Sequence, residues 1–403
     1  MAETWPGQTS PSPLPKTMLS ALVSKETKVT LLPSTHLPAL PHPNALLIRV
    51  VTSGTNPKDW KLPAGILKTI SSMDPRGCNS GDDVAGYVAA VGPAVVDFHV
   101  GDAVAGLHEL GVLEGGAFAE YAVVMDWVAF HLGRTVPNGG DEGKIDFDGA
   151  ATMPMASYMA AIGLFGMLRV SPGPWAPFKD DEVGAAPLVI YGAASAVGAY
   201  AVKLASIANI HPLICIAGQG TEFVRSLIDE SGGDVVIDYR KGNEHIISSI
   251  SQTLSQTQRP LMHALDAVST GDSFANLGKL VADGGHISLV LPGIRPEIPS
   301  TIRQSTTMAG CLWKDMGAHA KTQDKTLGAM DVGNGREFAY MHSRLIGLWY
   351  REGKLKPHPS QVVEGGLRGV EKALAELREG RASAVKYVVH VDETEEIRKR
   401  TTQ

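Results

Sequence analysis

Residues 188–208 constrain this chain more than any other stretch. An apolar run, Leu188-Val189-Ile190-Tyr191, meets a turn of small residues, Gly192-Ala193-Ala194-Ser195-Ala196-Val197-Gly198, and a helix-forming run from Ala199 to Ala208 follows. A buried strand turning tightly into a helix is the opening unit of a parallel α/β sheet. The same unit can hold a dinucleotide pyrophosphate on backbone N–H groups at the helix N-terminus, where the helix dipole favours negative charge. The usual G-x-G-x-x-G keeps its first and last glycine here, and Ala194 replaces the middle one. Taken alone, the segment fits a dinucleotide site and an unliganded strand–helix turn equally well.

The flanking sequence carries the pattern forward. Strands at 188–191, 213–217, 235–238, 261–266 and 286–290 alternate with helices at 197–208, 221–231, 243–255 and 272–282, and Met308–Trp313 reads as one more strand. This rhythm predicts right-handed βαβ units wound into a Rossmann-like doubly wound parallel sheet. The first 135 residues read differently, as short strands punctuated by glycine turns: an irregular β domain or barrel. Between the two, Asp148–Met167 is Ala- and Met-rich and reads as helix, and 172–187 as a Pro/Gly-rich loop. After a polar, Gly-rich stretch at 320–335 come helices at 338–352 and 365–380 and a strand at 386–391, expected to rejoin the first domain.

Length and composition bound the functional classes. The chain has 403 residues, 44% hydrophobic and 19% charged, enough for about two domains at roughly 150 residues each. A net charge of −6 argues against general nucleic-acid binding. The three cysteines, Cys78, Cys215 and Cys311, form neither a disulfide framework nor a C-x-x-C pattern, which suits a reducing cytoplasm. No apolar run approaches a membrane span. Residues 1–15 read as a polar disordered tail, and 393–403 as a charged, frayed one. G-x-S-x-G and G-x-x-x-x-G-K-[ST] are both missing, and the histidines lack metal-ligand spacing, so hydrolase, NTPase and metal readings lose ground.

The second strand of the βαβ unit ends Ile216-Ala217-Gly218-Gln219-Gly220-Thr221, with no carboxylate at the tip to take a ribose 2′-OH. The glycines leave room there, and Thr221 a hydroxyl, for a 2′-phosphate. Arg225 and Tyr239-Arg240-Lys241 add cations and an aromatic ring on the same edge. This favours NADPH over NADH. In the first domain, Asn56, Lys58 and Lys61 cluster around Pro57 and Trp60, and such lysines suit a phosphate, a ribose or a substrate carbonyl.

Several motifs then converge: Asn56-Pro57-x-Asp59, Gly81-Asp82-Asp83-Val84-Ala85-Gly86, Gly101-Asp102-x-Val104 and Gly115-Gly116-Ala117-Phe118-Ala119-Glu120-Tyr121, all ahead of a mid-chain Rossmann unit. Their order resembles the medium-chain dehydrogenase/reductase superfamily over roughly residues 16–392. Zinc alcohol dehydrogenases carry Gly-His-Glu where this chain has Gly81-Asp82-Asp83, so the likeness is to the zinc-free branch of quinone and enoyl reductases. Asn-Pro-x-Asp-Trp-Lys (56–61), Asp238-Tyr239-Arg240 and the tail from Lys356 to Arg381 are most similar to the fungal trans-acting enoyl reductases of the lovastatin type.

The resemblance implies an α/β protein: a GroES-like irregular β-barrel catalytic domain (16–157 and 353–392) and a Rossmann domain (158–352). It implies an NADPH-dependent enoyl reductase, expected to be monomeric. Its substrate would be an α,β-unsaturated polyketide thioester on an acyl carrier domain of a polyketide synthase or a synthase–peptide synthetase hybrid. It puts Lys58, Asp59, Trp60 and Lys61 at the cofactor and active site; Lys61 is the candidate catalytic contact to the thioester oxygen or else orients the ribose, and a backbone N–H is the competing donor. Ala194, Ser195, Ala196 and Val197 fall under the pyrophosphate, Ala217, Gly218, Gln219, Gly220 and Tyr239 at the 2′-phosphate, Leu289 and Val290 at the nicotinamide, and Ala384 and Val385 at the far edge. Ser157, Tyr158, Met308, Ala309, Gly310, Cys311 and Leu312 would line the acyl pocket. A quinone or small-enone reductase is the alternative within the fold, and a non-catalytic binding subunit the alternative outside it.

Overall fold

The computed structural model describes residues 14–65, 76–112, 114–133, 145–170, 173–177, 187–313 and 335–401. Most of the expected N-terminal tail, of the 172–187 loop and of the 320–335 stretch lies outside them. Two compact units emerge: Met1–Pro154 with Gln361–Glu379 and Tyr387–Gln403, and Met155–Ser360 with Gly380–Lys386.

The first unit is built on antiparallel strands. β1 (Thr17–Val23) and β2 (Val29–His36) form a two-stranded sheet. β3 (Ala45–Gly54), β4 (Asp83–Val91), β5 (Ala103–Leu107), β6 (Tyr121–Met125) and β7 (Ala129–Gly133) join β14 (Ser360–Val362) and β15 (Lys386–His390) in a seven-stranded sheet. Its order is β14-β15-β3-β4-β5-β7, with β6 also on β3. Both β3 and β4 carry register irregularities, the local bends that curl a sheet. Gly86 lies so close to the Arg49 carbonyl that a side chain would not fit, which explains a glycine in mid-strand.

The second unit holds six parallel strands. β8 (Leu188–Tyr191), β9 (Leu213–Ala217), β10 (Val235–Asp238), β11 (His263–Asp266), β12 (His286–Leu289) and β13 (Arg303–Thr306) lie in the order β10-β9-β8-β11-β12-β13. That is the doubly wound order, with its topological switch between β8 and β11. Val189, Ile214, Ile237, Ala264 and Ile287 face Ile246 and Ile250 of the helix Asn243–Thr257 in one buried cluster.

Four expectations change. The sixth strand is Arg303–Thr306, and residues 309–313 form a 3-10 helix. β13 is polar, so it has no apolar run to read. Ser305 pairs instead with His286 at 2.9 Å, and Thr307 just beyond the strand with Ser288 at 2.7 Å. The helix expected at 148–167 divides into α2 (Phe147–Ala150), α3 (Pro154–Ala161) and a π-helical turn (Ile162–Met167), because Pro154 starts a helix more readily than it continues one. The helix expected at 221–231 stops at Arg225, and Asp229 caps a separate 3-10 turn. The charged C-terminal end does not fray: Glu395–Thr401 is helical, Ile397 is buried, and Arg400 pairs with Glu120 at 2.6 Å. No described helix is long and apolar enough to cross a membrane.

Candidate active site

In the first unit the chemistry gathers on α1, the short helix Pro57–Lys61 between β3 and β4. The sequence reads as a turn there. The structure makes it helical because Pro57 fits the first position and Asp59 accepts the Asn56 N–H at 2.8 Å, reversing the chain direction. Asp59 and Asp83 are fully buried and Asp82 nearly so. Asn56 Nδ2 donates to Asp83 at 2.8 Å, and the Ser80 hydroxyl to the Asp59 carbonyl at 2.7 Å. The Lys58 ammonium lies 2.6 Å from Asp82 and 3.1 Å from Asp59, and also donates to the Ser80 carbonyl. Lys58, expected at the cofactor, thus spends its charge inside the unit. Burial pushes the Asp59 carboxyl up to about 7 against the pull of Lys58.

Lys61 is different. Its ammonium is 5.4 Å from the centre of the Trp60 ring, which also has Arg378 at 5.8 Å. Half-burial holds its pKa below the ordinary lysine value, and it forms no ion pair among the described residues. The Trp60 indole N–H is buried without a partner among the described residues.

In the second unit, the turn after β8 leads into α4 (Ala196–Ile207). Ser195 caps this helix, its hydroxyl accepting the Gly198 N–H at 3.1 Å. Gly198 is pressed against the Gly192 carbonyl, and Gly192 has φ +76°, so both retained glycines have a steric reason. Gly192 also abuts Val268 after β11, which places the turn at the switch point. Gly220 lies between the methyl groups of Ala194 and Ala384, and the Tyr239 ring covers Gly218. Residues far apart in sequence thus meet around one cradle, which side chains at 218 or 220 would fill. The cradle and the α4 N-terminus fit a dinucleotide.

The expected cations at the β9 edge are engaged. Arg225 pairs with Glu222 and Glu230, and Arg240 makes a two-pronged pair with Asp238, which holds that carboxyl at about 2. The Thr221 hydroxyl donates to the Gly218 carbonyl at 2.7 Å. Lys241 stays exposed.

One group escaped the sequence analysis. Asp266, buried at the end of β11, accepts the N–H groups of Val268 at 3.0 Å and Ser269 at 2.7 Å and the Ser273 hydroxyl at 2.5 Å. Burial pushes its carboxyl up, and these donors pull it down. Ser269 in turn accepts the N–H of Val290, beside buried Leu289. The rule that ligands gather at the carboxyl ends of parallel strands was the available signal.

The acyl-pocket candidates are mostly interior. Ser157 and Tyr158 on α3 are fully buried, with the Tyr158 phenol beside Ser343 and Arg344 of the helix Gly335–Arg351. Ala309, Gly310, Cys311 and Leu312 are buried too, and Gly335 packs on the Cys311 carbonyl; Met308 keeps partial exposure. Val385 is half-buried beside Ala384.

Comparison with known proteins agrees with this architecture. Residues 42–134 match the alcohol dehydrogenase GroES-like domain family. A trans-enoyl reductase of Gibberella fujikuroi, fsr4, is 37% identical over 367 residues, covering 89% of this chain and 96% of that protein. The enoyl reductase component of the lovastatin nonaketide synthase of Aspergillus terreus is 25% identical over 386 residues, 94% of this chain and 97% of its own. Among solved structures, an alcohol dehydrogenase superfamily protein from Novosphingobium aromaticivorans superposes with a TM-score of 0.67 at 22% identity, over 93% of this chain and all of that one. The CurK enoyl reductase gives 0.65 at 18% identity, over 93% of this chain and 99% of that one.

Proposed function

The chain belongs to the trans-enoyl reductases of the medium-chain dehydrogenase/reductase superfamily, and on that premise we propose that it reduces an α,β-unsaturated polyketide thioester with NADPH. The observation that carries this reading is the cradle of Ala194, Gly218, Gly220, Tyr239 and Ala384 at the switch point of a six-stranded parallel sheet. When bound, the reduced nicotinamide supplies the hydride that adds to the β-carbon.

The chain's own residues supply the rest. The N–H groups of Ala196 and Val197 and the α4 dipole hold the pyrophosphate. Thr221, Tyr239 and Lys241 take the 2′-phosphate, with Ala217 and Gln219 bordering it. Asp266 and Ser269 fix Val290 against the nicotinamide. Hydride at the β-carbon moves the C=C electron pair onto the thioester oxygen as an enolate, where Lys61 offers an N–H in the role of an oxyanion-hole donor, and a proton from a side chain or water then adds to the α-carbon. The lowered proton affinity of Lys61 matches a half-buried amine with no ion pair among the described residues, suited to a site where charge develops. The partner is an acyl carrier domain of a polyketide synthase or a synthase–peptide synthetase hybrid, and the enzyme works as a cytoplasmic monomer.

The test is NADPH oxidation with a panel of enoyl-pantetheines, with and without the candidate synthase. Turnover of the thioesters, raised by the synthase, is expected. Turnover of free quinones alone would mean a quinone reductase, and failure to bind NADPH in a fluorescence titration a binding subunit.

A further inference from the structure

Lys61 has a role in this reading, and Lys58, three residues earlier on the same short helix, has none. α1 has only five residues, too few to hold a helical form on its own. Its place is therefore set by its ties to the segment that leads into β4 and to the first residue of that strand. Two of these are neutral at the α1 end: Asn56 to Asp83 and the Ser80 hydroxyl to the Asp59 carbonyl. The third is ionic. The Lys58 ammonium sits among three oxygens, from Asp59 at 3.1 Å, Asp82 at 2.6 Å and the Ser80 carbonyl.

We propose that Lys58 is a positioning residue: its ammonium is the built-in cation of an oxygen cage formed by Asp59, Asp82 and the Ser80 carbonyl, and through that cage it fixes where the Lys61 amine stands. The physical case is electrostatic. Asp59 and Asp82 are 0% and 2% exposed, and two carboxylates buried together repel. Each raises the charging cost of the other, and Lys58 offsets part of it: both acids pull its proton affinity up against the cost of burial. The Cys78 thiol shares this interior and is pushed up to about 11, so it adds no charge near neutrality. The His108 ring is near enough to feel Lys58, but its two nitrogens face the carbonyls of Val123 at 2.7 Å and Val112 at 3.0 Å, away from the cage oxygens. Lys58 and Lys61 are one helical turn apart, so a tilt of α1 that relaxes the cage moves the Lys61 amine with it.

The inference rests on Lys61 being the polar contact of the reaction, and its test separates the two claims. Lys58→Met alone leaves two buried carboxylates and can cost the fold, so the working variant is Lys58→Met/Asp82→Asn, which leaves a single acid able to stay protonated. Competitive amine labelling across pH, read by mass spectrometry at Lys61, needs no turnover. In the wild type Lys61, lowered by its half-burial, is expected to label as an amine of lower proton affinity than an ordinary lysine. In the double variant its profile is expected to move to the ordinary value. In turnover, the double variant is expected to lose at least about tenfold in kcat. Adding Lys61→Ala to it should give an enzyme no slower than Lys61→Ala alone, since residues acting as a unit do not add. An unchanged labelling profile, or losses that multiply, would overturn the role of Lys58. A fully active Lys61→Ala would remove the catalytic role of Lys61, and the labelling profile would still decide whether Lys58 positions it.

Discussion

The backbone N–H of Val290 donates to the Ser269 hydroxyl at 2.9 Å, and that hydroxyl donates on to the Asp266 carbonyl at 3.0 Å. One side chain thereby ties the carboxyl ends of two neighbouring parallel strands. Ser269 itself adopts φ +54°, a conformation that only a well-tied loop keeps. Ser269→Ala should leave the Val290 N–H with only its longer bond to the Asp266 carbonyl at 3.2 Å, at a cost of about 0.5–1.5 kcal/mol of stability. With the Val290 segment loosened, NADPH should bind several-fold more weakly. Fluorescence titration checks this, and wild-type affinity would show that the tie does not shape the cofactor site.

Lys61 carries the proposed contact to the thioester oxygen. Removing one oxyanion donor typically costs about 100- to 1,000-fold in kcat. Lys61→Ala is expected to fall in that range with an unchanged melting temperature, because the side chain is half-buried and no ion pair among the described residues anchors it. Steady-state kinetics on an enoyl-pantetheine and a thermal melt suffice, and a loss confined to KM would assign Lys61 to binding alone.

Gln219 is exposed at the tip of β9, next to the room left by Gly218 and Gly220. A carboxylate there would accept from a ribose 2′-OH and repel a 2′-phosphate. Gln219→Asp should lower the NADPH-to-NADH ratio of kcat/KM by about tenfold or more, roughly the 1.4 kcal/mol of one such contact. An unaltered ratio would place cofactor choice elsewhere, with Tyr239 and Lys241 as the next positions to change.

Glu109 sits with His108 and Glu114 around a cavity of about 160 Å³ in the first unit, otherwise lined mainly by apolar residues. Burial raises its carboxyl from 4.5 to about 7. The folded state therefore binds this proton more tightly than the unfolded chain. The stability so gained is fully present below pH 4.5 and is lost as pH rises to about 7. Glu109→Gln should melt higher than the wild type at pH 8, with the gap closing by pH 4.5. Melting temperatures at several pH values measure this, and a gap that does not vary with pH would mean Glu109 is not charged at a cost.

The sequence by itself determined the alternating strands and helices of 188–290, because parallel strands buried on both faces must be apolar runs and these are visible without context. It determined the two glycines of the turn for the same local reason: the positive φ at Gly192 and the close approach at Gly198 belong to the strand–turn–helix itself. Elements held by polar or distant partners were invisible. β13 has no apolar face to announce it, and the C-terminal helix Glu395–Thr401 is anchored by Glu120, 280 residues earlier in the chain. The helicity of α1 depends on Asp59 turning back on Asn56, and its orientation on Asp82 and Asp83. Above all, the meeting of Ala194, Gly220 and Ala384, and the inward turn of Lys58 beside an outlying Lys61, depend on where the folded chain returns. Close contact and burial belong to the assembled core, so only the tertiary structure could decide which of the two lysines is held in buried ion pairs.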